Sequence, residues 1–147
     1  MGLFDAADAS ASVGKARAAR TAEALARINT AIAPMLTEAR DGLIARGVAP
    51  TLVNNGVKWW DLPPAATSYA LTEQGRLLIV LPLYSARRAD FMDLDPELFR
   101  FSGTGIEINA RELEPMSDRV VSNWIPFETW LSKGIAHLVE RHARNMR

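Results

Sequence analysis

The sequence has no cysteine among its 147 residues. Disulfide bonds, thiolate metal ligands and cysteine nucleophiles are therefore excluded. A chain without disulfides suits a reducing compartment, and we expect a cytoplasmic protein. The first residues also lack a basic segment followed by an apolar core, the pattern of a secretory signal peptide.

Long apolar runs are missing as well. A membrane-spanning helix needs about 20 consecutive apolar residues, whereas the longest run, residues 77–84, has the length of a buried strand. The 17 basic residues are matched by 17 acidic ones, so no net charge attracts a polyanion. We therefore expect no membrane partner, and nucleic acid is a disfavoured one.

Catalytic and cofactor signatures are absent too. His137 and His142 stand five residues apart on one predicted helix, which turns them about 140° away from each other and prevents a shared metal ion. Gly103-Thr104-Gly105 lacks the third glycine of a dinucleotide-binding loop. The acidic run 93–97 lacks the glycine and the final glutamate of a calcium loop. We predict no metal and no cofactor, which favours a non-enzymatic protein without excluding an enzyme.

Apolar residues recur at three- and four-residue steps from Thr21 onward, the spacing of one helical face. Pro34 lies inside this stripe, which continues in register beyond it. The pattern therefore predicts a helix kinked at Pro34, or two helices in tandem, rather than a loop. Gly47 and Pro50 predict the end of the helix. The stripe consists of Leu25, Ile28, Ile32, Met35, Leu36, Ala39 and Leu43.

Residues 1–20 are rich in alanine, and Leu3 and Phe4 are the large residues of a thin apolar face. Such a segment has good helix propensity, but a helix without packing is only marginally stable in water. We expect a weak helical arm that a partner stabilises. Residues 21–147 are then a single α+β domain.

The middle of the chain predicts β-structure. Turn sequences at 54–56 and 73–75 each separate two strand-like segments, as in β-hairpins. A further short strand is predicted at 106–108, and residues 110–122 are predicted to form a surface loop. Pro126 is expected to begin an amphipathic helix. The predicted fold is α+β, with a kinked N-terminal helix, an antiparallel sheet of about four strands and a C-terminal amphipathic helix packed on the sheet.

Tryptophan is frequent, with four in the chain. Trp59 and Trp60 are adjacent in a predicted strand, so their side chains point to opposite faces of the sheet. At most one of them can enter a given core, and the other lies on the outer face. There it is either covered by the N-terminal helix or exposed as a binding hot spot. Leu3, Phe4, Trp59 and Trp60 are therefore the candidate interface residues.

Three functional hypotheses follow. The first is a protein–protein interaction or assembly module, either a homo-oligomer or an accessory subunit of a larger complex such as a phage or secretion assembly. The alternative is a small-ligand-binding domain or small enzyme with a pocket between helix and sheet, near Trp60, Tyr84, Arg87 and Arg88, because paired arginines can bind a phosphate or carboxylate. The third is nucleic-acid binding through the basic C-terminal helix.

Overall fold

In the computed structural model, two long helices accompany three antiparallel sheets. The predicted α+β class, with the C-terminal helix packed on the sheet, is confirmed. None of the helices in the described part of the chain is long and apolar enough to cross a membrane. The structure describes residues 2–54, 56–62, 67–81, 89–114 and 116–146.

Helix α1 spans Leu3–Ala45. Pro34 lies inside it and the helix continues on both sides, so the predicted stripe belongs to one element rather than to two helices in tandem. Beyond α1, the amides of Gly47 and Val48 bond the last carbonyls of the helix, and Gly47 takes a φ of 71°. This left-handed glycine ends the helix where the sequence predicted. The buried face is Ile28, Ile32, Leu36, Ala39 and Leu43.

The main sheet has five antiparallel strands, one more than the approximate prediction. Their order in the sheet is their order in the chain, so each strand pairs with the next as in a meander. The predicted turns join the first strand to the second and the third strand to the fourth, with positive φ angles at Gly56 and Gly75. The strands are β1 (Leu52–Asn54), β2 (Val57–Leu62), β3 (Tyr69–Thr72), β4 (Leu77–Leu81) and β5 (Asp90–Met92).

This sheet is strongly curled. Strands three places apart lie about 14 Å apart in a flat sheet, yet the ring centroids of Trp59 on β2 and Phe91 on β5 are 5.3 Å apart. The side-chain amide of Asn54 on β1 also donates a hydrogen bond to the carbonyl of Ala89, just before β5. The two edges of the sheet therefore approach each other around the face that carries Trp59.

The rest of the chain before the second helix adds two small sheets. A 3₁₀ turn at Pro96–Leu98 leads into β6 (Phe99–Ser102) and β7 (Gly105–Asn109). The predicted loop at 110–122 instead contains a hairpin of β8 (Glu112–Leu113) and β9 (Val120–Val121). Two-residue strands are too short to show an alternating pattern, which explains the error. Strand β10 (Trp124–Pro126) then pairs with β7, giving the order β10-β7-β6.

Helix α2 spans Phe127–Asn145 and directly follows β10. It contacts α1 as well as β2, β7 and β10, so the core lies between the two helices and the sheets. Trp60 is in this core, and its indole Nε1–H donates to the carbonyl of Val48 at 2.9 Å. That bond links the chain after α1 to the centre of the sheet. The buried face of α2 is Phe127, Trp130, Leu131, Gly134 and Leu138.

Candidate protein interaction surface

The first half of α1 projects from the domain. Every residue from 2 to 23 is exposed, and burial begins only at Ala24. Leu3 and Phe4 are 90% and 86% exposed. At about 1.5 Å per residue this stretch of helix is about 33 Å long. We call residues 2–23 the exposed segment.

Within the part of the chain that the structure describes, the exposed segment makes local hydrogen bonds only. The Gly2 amide donates to the Asp5 carboxylate at 3.2 Å, and the Thr21 hydroxyl donates to the Arg17 carbonyl at 3.1 Å. Such exposed local bonds add little to helix stability. Gly14 weakens the helix further, because glycine in a helix interior costs about 1 kcal/mol relative to alanine. The exposed segment therefore lacks the tertiary packing that normally stabilises a helix.

One side of the exposed segment carries small and apolar residues. At about 100° per residue, this side has the same direction as the face of α1 that is buried further along the chain. The helix thus presents, without cover, the continuation of its own core-facing side. The residues on this side are Leu3, Ala7, Ala11, Gly14 and Ala18.

Charges are segregated along the exposed segment. Over residues 5–20, Asp5 and Asp8 come first and Lys15, Arg17 and Arg20 lie beyond the middle of the segment, whereas Glu23, its last residue, departs from this division. This division of charge was not among the features predicted from the sequence. The division is visible in the sequence, because the aspartates precede the basic residues along this helix. In i,i+4 pairs, by contrast, acidic and basic residues alternate.

Trp59 and Trp60 lie on opposite faces of β2, as predicted, but both are buried, at 3% and 1% exposure. An exposed tryptophan on the outer face is therefore ruled out for this pair. The cover over Trp59 also differs from the one expected: the ring of Phe91 packs edge to face against it because the sheet curls. Neither tryptophan offers surface to a partner in this structure, unlike Leu3 and Phe4.

A groove of about 550 Å³ lies between α1 and α2. The prediction placed a ligand pocket between helix and sheet instead, and Trp60, which was expected near it, is part of the closed core. Tyr84, Arg87 and Arg88, the predicted ligand-binding residues, lie outside the described residues. The floor of the groove is apolar and its rim carries Glu38, Arg46 and Glu128. The apolar lining is Met35, Ala39, Leu131, Ile135 and Val139.

Two titratable side chains have shifted pKa values. Burial raises the pKa of the Tyr69 hydroxyl well above its ordinary value, and this hydroxyl has no hydrogen-bond partner among the described residues. Partial burial also raises the pKa of Asp61, against the opposing effect of the Arg141 guanidinium. The two residues belong to different surroundings, Tyr69 to the core against Trp130 and Asp61 to the surface of β2. Together they do not form an acid–base pair.

Metal ligation has no candidate in the ranges that the structure describes, where no three His, Asp or Glu side chains are grouped for an ion. His137 is exposed on α2 and His142 is half-buried. Comparison of the chain with family models, with curated proteins and with solved structures gave no match, so its function has to be inferred from the molecule itself.

Proposed function

We propose that the protein is a non-enzymatic interaction module that assembles with other protein through the exposed segment of α1. It acts either as a self-associating protein or as an accessory subunit of a larger complex. One observation carries the proposal: a helix of about 33 Å projects with every side chain in solvent, and Leu3 and Phe4 are among them.

Keeping the exposed segment helical costs conformational entropy. Fixing one residue of backbone costs about 1–2 kcal/mol in conformational entropy, and an isolated helix of this length barely offsets that. Full burial of a leucine or phenylalanine side chain contributes about 1.5–3 kcal/mol each. A protein surface that covers Leu3, Phe4 and the small residues behind them therefore supplies the stabilisation that the single chain lacks. We place this assembly in the cytoplasm, because the sequence has no cysteine.

Site-specific photocrosslinking in the source organism tests this proposal. A photoreactive amino acid replaces Phe4, and in a control variant it replaces Met116, which is fully exposed on another part of the molecule. We expect an adduct of discrete mass from position 4 and none from position 116. No adduct at position 4, or the same pattern of adducts at both positions, would contradict the proposed function.

The groove between α1 and α2 favours a second candidate function, the binding of a small apolar ligand. Its volume of about 550 Å³ lies in the range of small-molecule sites. A fluorescent apolar dye, anilinonaphthalene sulfonate, serves as the probe. Gly42 lines the groove, so Gly42→Leu fills it, whereas Ala33→Leu on the exposed side of α1 does not. Saturable dye binding that only Gly42→Leu abolishes supports this candidate, and equal binding by both variants removes it.

A further inference from the structure

We infer that the partner of the exposed segment is the exposed segment of a second copy of this chain, packed against it in the antiparallel direction. This inference rests on the proposed function and adds to it the identity of the partner and the orientation. It follows from charge, from the position of Gly14 and from the length of the exposed helix.

The charged residues of the exposed segment determine the relative direction of the two helices. When two copies of the segment run antiparallel and are centred between residues 11 and 12, residue 8 of one copy is level with residue 15 of the other. Each Asp8 then lies beside the partner copy's lysine. In a parallel pair in register each Asp8 would be level with the partner copy's Asp8 but on the opposite side of the contact, so no aspartate would meet a lysine. Opposite charges that meet beside a helix–helix contact therefore favour the antiparallel orientation.

The angular positions agree with this direction. At about 100° per residue, Asp8 and Lys15 flank the uncharged side of the helix on the same edge, within about 20° of each other. In an antiparallel pair of identical helices, an edge of one helix faces the same edge of the other helix. The aspartate of one copy and the lysine of the other thus meet twice, once on each side of the centre of the contact and about 5 Å from it.

Gly14 is the second independent observation. A Cβ atom added at Gly14 would meet no atom of the chain within 4 Å, so nothing within one copy requires a glycine there. Glycine in a helix interior is unfavourable, and it often marks a place where another backbone comes close. Gly14 lies on the uncharged side, near the centre of the antiparallel contact. With Ala11 beside it, two helices can pack at the short end of the usual interaxial distances.

The length of the segment fits the same arrangement. With the centre between residues 11 and 12, Gly2 of one copy is level with residue 21 of the other, just before burial begins at Ala24. The two exposed segments therefore overlap from residue 2 to residue 21, which is nearly their full length, and the two domains stay at opposite ends. Leu3 of each copy reaches the small residues at Ala18 and Ala22 of the other. Every exposed residue on the uncharged side thereby gains a neighbour.

Cysteine crosslinking tests the orientation, and the absence of native cysteine makes each introduced thiol unique. The variants are Ala7→Cys and Ala18→Cys, one of them with a mass tag, each studied alone and in an equilibrated mixture under mild oxidation. In the antiparallel pair residue 7 lies near residue 18 of the other copy but about 16 Å from residue 7, beyond the reach of a disulfide. We expect a crosslink between the two variants in the mixture and none in either variant alone.

Sedimentation of two leucine variants tests the packing. Gly14→Leu places a large side chain at the centre of the contact, whereas Ser12→Leu places the same side chain on the opposite side of the helix. We expect Gly14→Leu to weaken dimerisation at least tenfold without loss of helix content, and Ser12→Leu to leave dimerisation unchanged.

The outcomes separate this inference from the proposed function. Self-crosslinks of Ala7→Cys alone, or equal effects of the two leucine variants, overturn the antiparallel pairing while assembly through the exposed segment stands. A wild-type chain that sediments as a monomer while the position 4 photoadduct contains another protein also overturns the inference alone. A monomer that gives no photoadduct overturns both. Crosslinks between Ala7→Cys and Ala18→Cys in the mixture only, together with selective weakening by Gly14→Leu, support the inference.

Discussion

The indole ring of Trp59 and the phenyl ring of Phe91 meet edge to face at an interplanar angle of 85°, although β3 and β4 separate their strands in the sheet. Edge-to-face contacts of this kind are favourable beyond the area that they bury. The contact closes the curl of the sheet over Trp59. It explains how two adjacent tryptophans on opposite faces of one strand are both buried.

Phe91→Ala is expected to lower the free energy of unfolding by about 1–2 kcal/mol, because a half-buried ring and its contact with Trp59 are lost. Phe101→Ala is the matched control. Phe101 is also a phenylalanine of a sheet strand, but it is largely exposed and lies under the guanidinium of Arg27, so we expect a loss below about 1 kcal/mol. Denaturant titrations of both variants measure the difference. Equal losses of stability in the two variants would contradict the conclusion that Phe91 closes the curl of the sheet over Trp59.

Tyr69→Phe tests the buried hydroxyl. Burial raises the pKa of Tyr69 above its ordinary value of 10.0, so the folded chain keeps the proton at a pH where the unfolded chain loses it. Stability from this group is therefore present below pH 10.0 and is lost as the pH rises above it. The phenylalanine variant should lose less stability between neutral and strongly alkaline pH than the wild type. At neutral pH its stability should stay within about 1 kcal/mol of the wild type, because the hydroxyl it removes has no hydrogen-bond partner among the described residues.

Thermal or denaturant unfolding at several pH values measures both the stability at neutral pH and the stability lost at alkaline pH. Parallel pH profiles for Tyr69→Phe and the wild type would show that the hydroxyl titrates normally. A loss of several kcal/mol at neutral pH would show that it has a structural partner after all.

Pro34→Ala is expected to stabilise the protein. Pro34 is exposed in the interior of α1, where proline removes one backbone hydrogen bond and crowds the preceding turn. Replacing it with alanine should raise the free energy of unfolding by about 1–3 kcal/mol. Thr30→Ala, an exposed change one turn earlier, should have an effect below about 0.5 kcal/mol. Lower stability of Pro34→Ala in denaturant unfolding would mean that the packing of α1 depends on the proline.

Local features of the sequence predicted the helices and the first turns. The apolar stripe of α1, its end at Gly47 and the glycine turn at Gly56 each depend on residues within a few positions of one another. The same holds for α2, although Pro126 belongs to β10 and precedes the helix by one residue. Short-range periodicity and turn preferences are sufficient for such elements.

Features that depend on distant residues were not predicted. The burial of Trp59 requires Phe91 to come back across the sheet, and the pairing of β10 with β7 joins segments on either side of a hairpin. The α1–α2 groove similarly depends on the relative position of two helices at opposite ends of the chain. A single sequence contains no periodic signal for such contacts. The exposure of residues 2–20, in contrast, agrees with the thin apolar face of this segment, which is a local feature of the sequence.

The most direct test of assembly through the exposed segment is sedimentation of the full chain and of a chain that lacks residues 1–20, over a range of concentrations. We expect the full chain to dimerise and the shortened chain to be a monomer that still unfolds cooperatively, since residues 2–20 are exposed in the structure. The same oligomeric state for both chains would contradict self-association through the exposed segment.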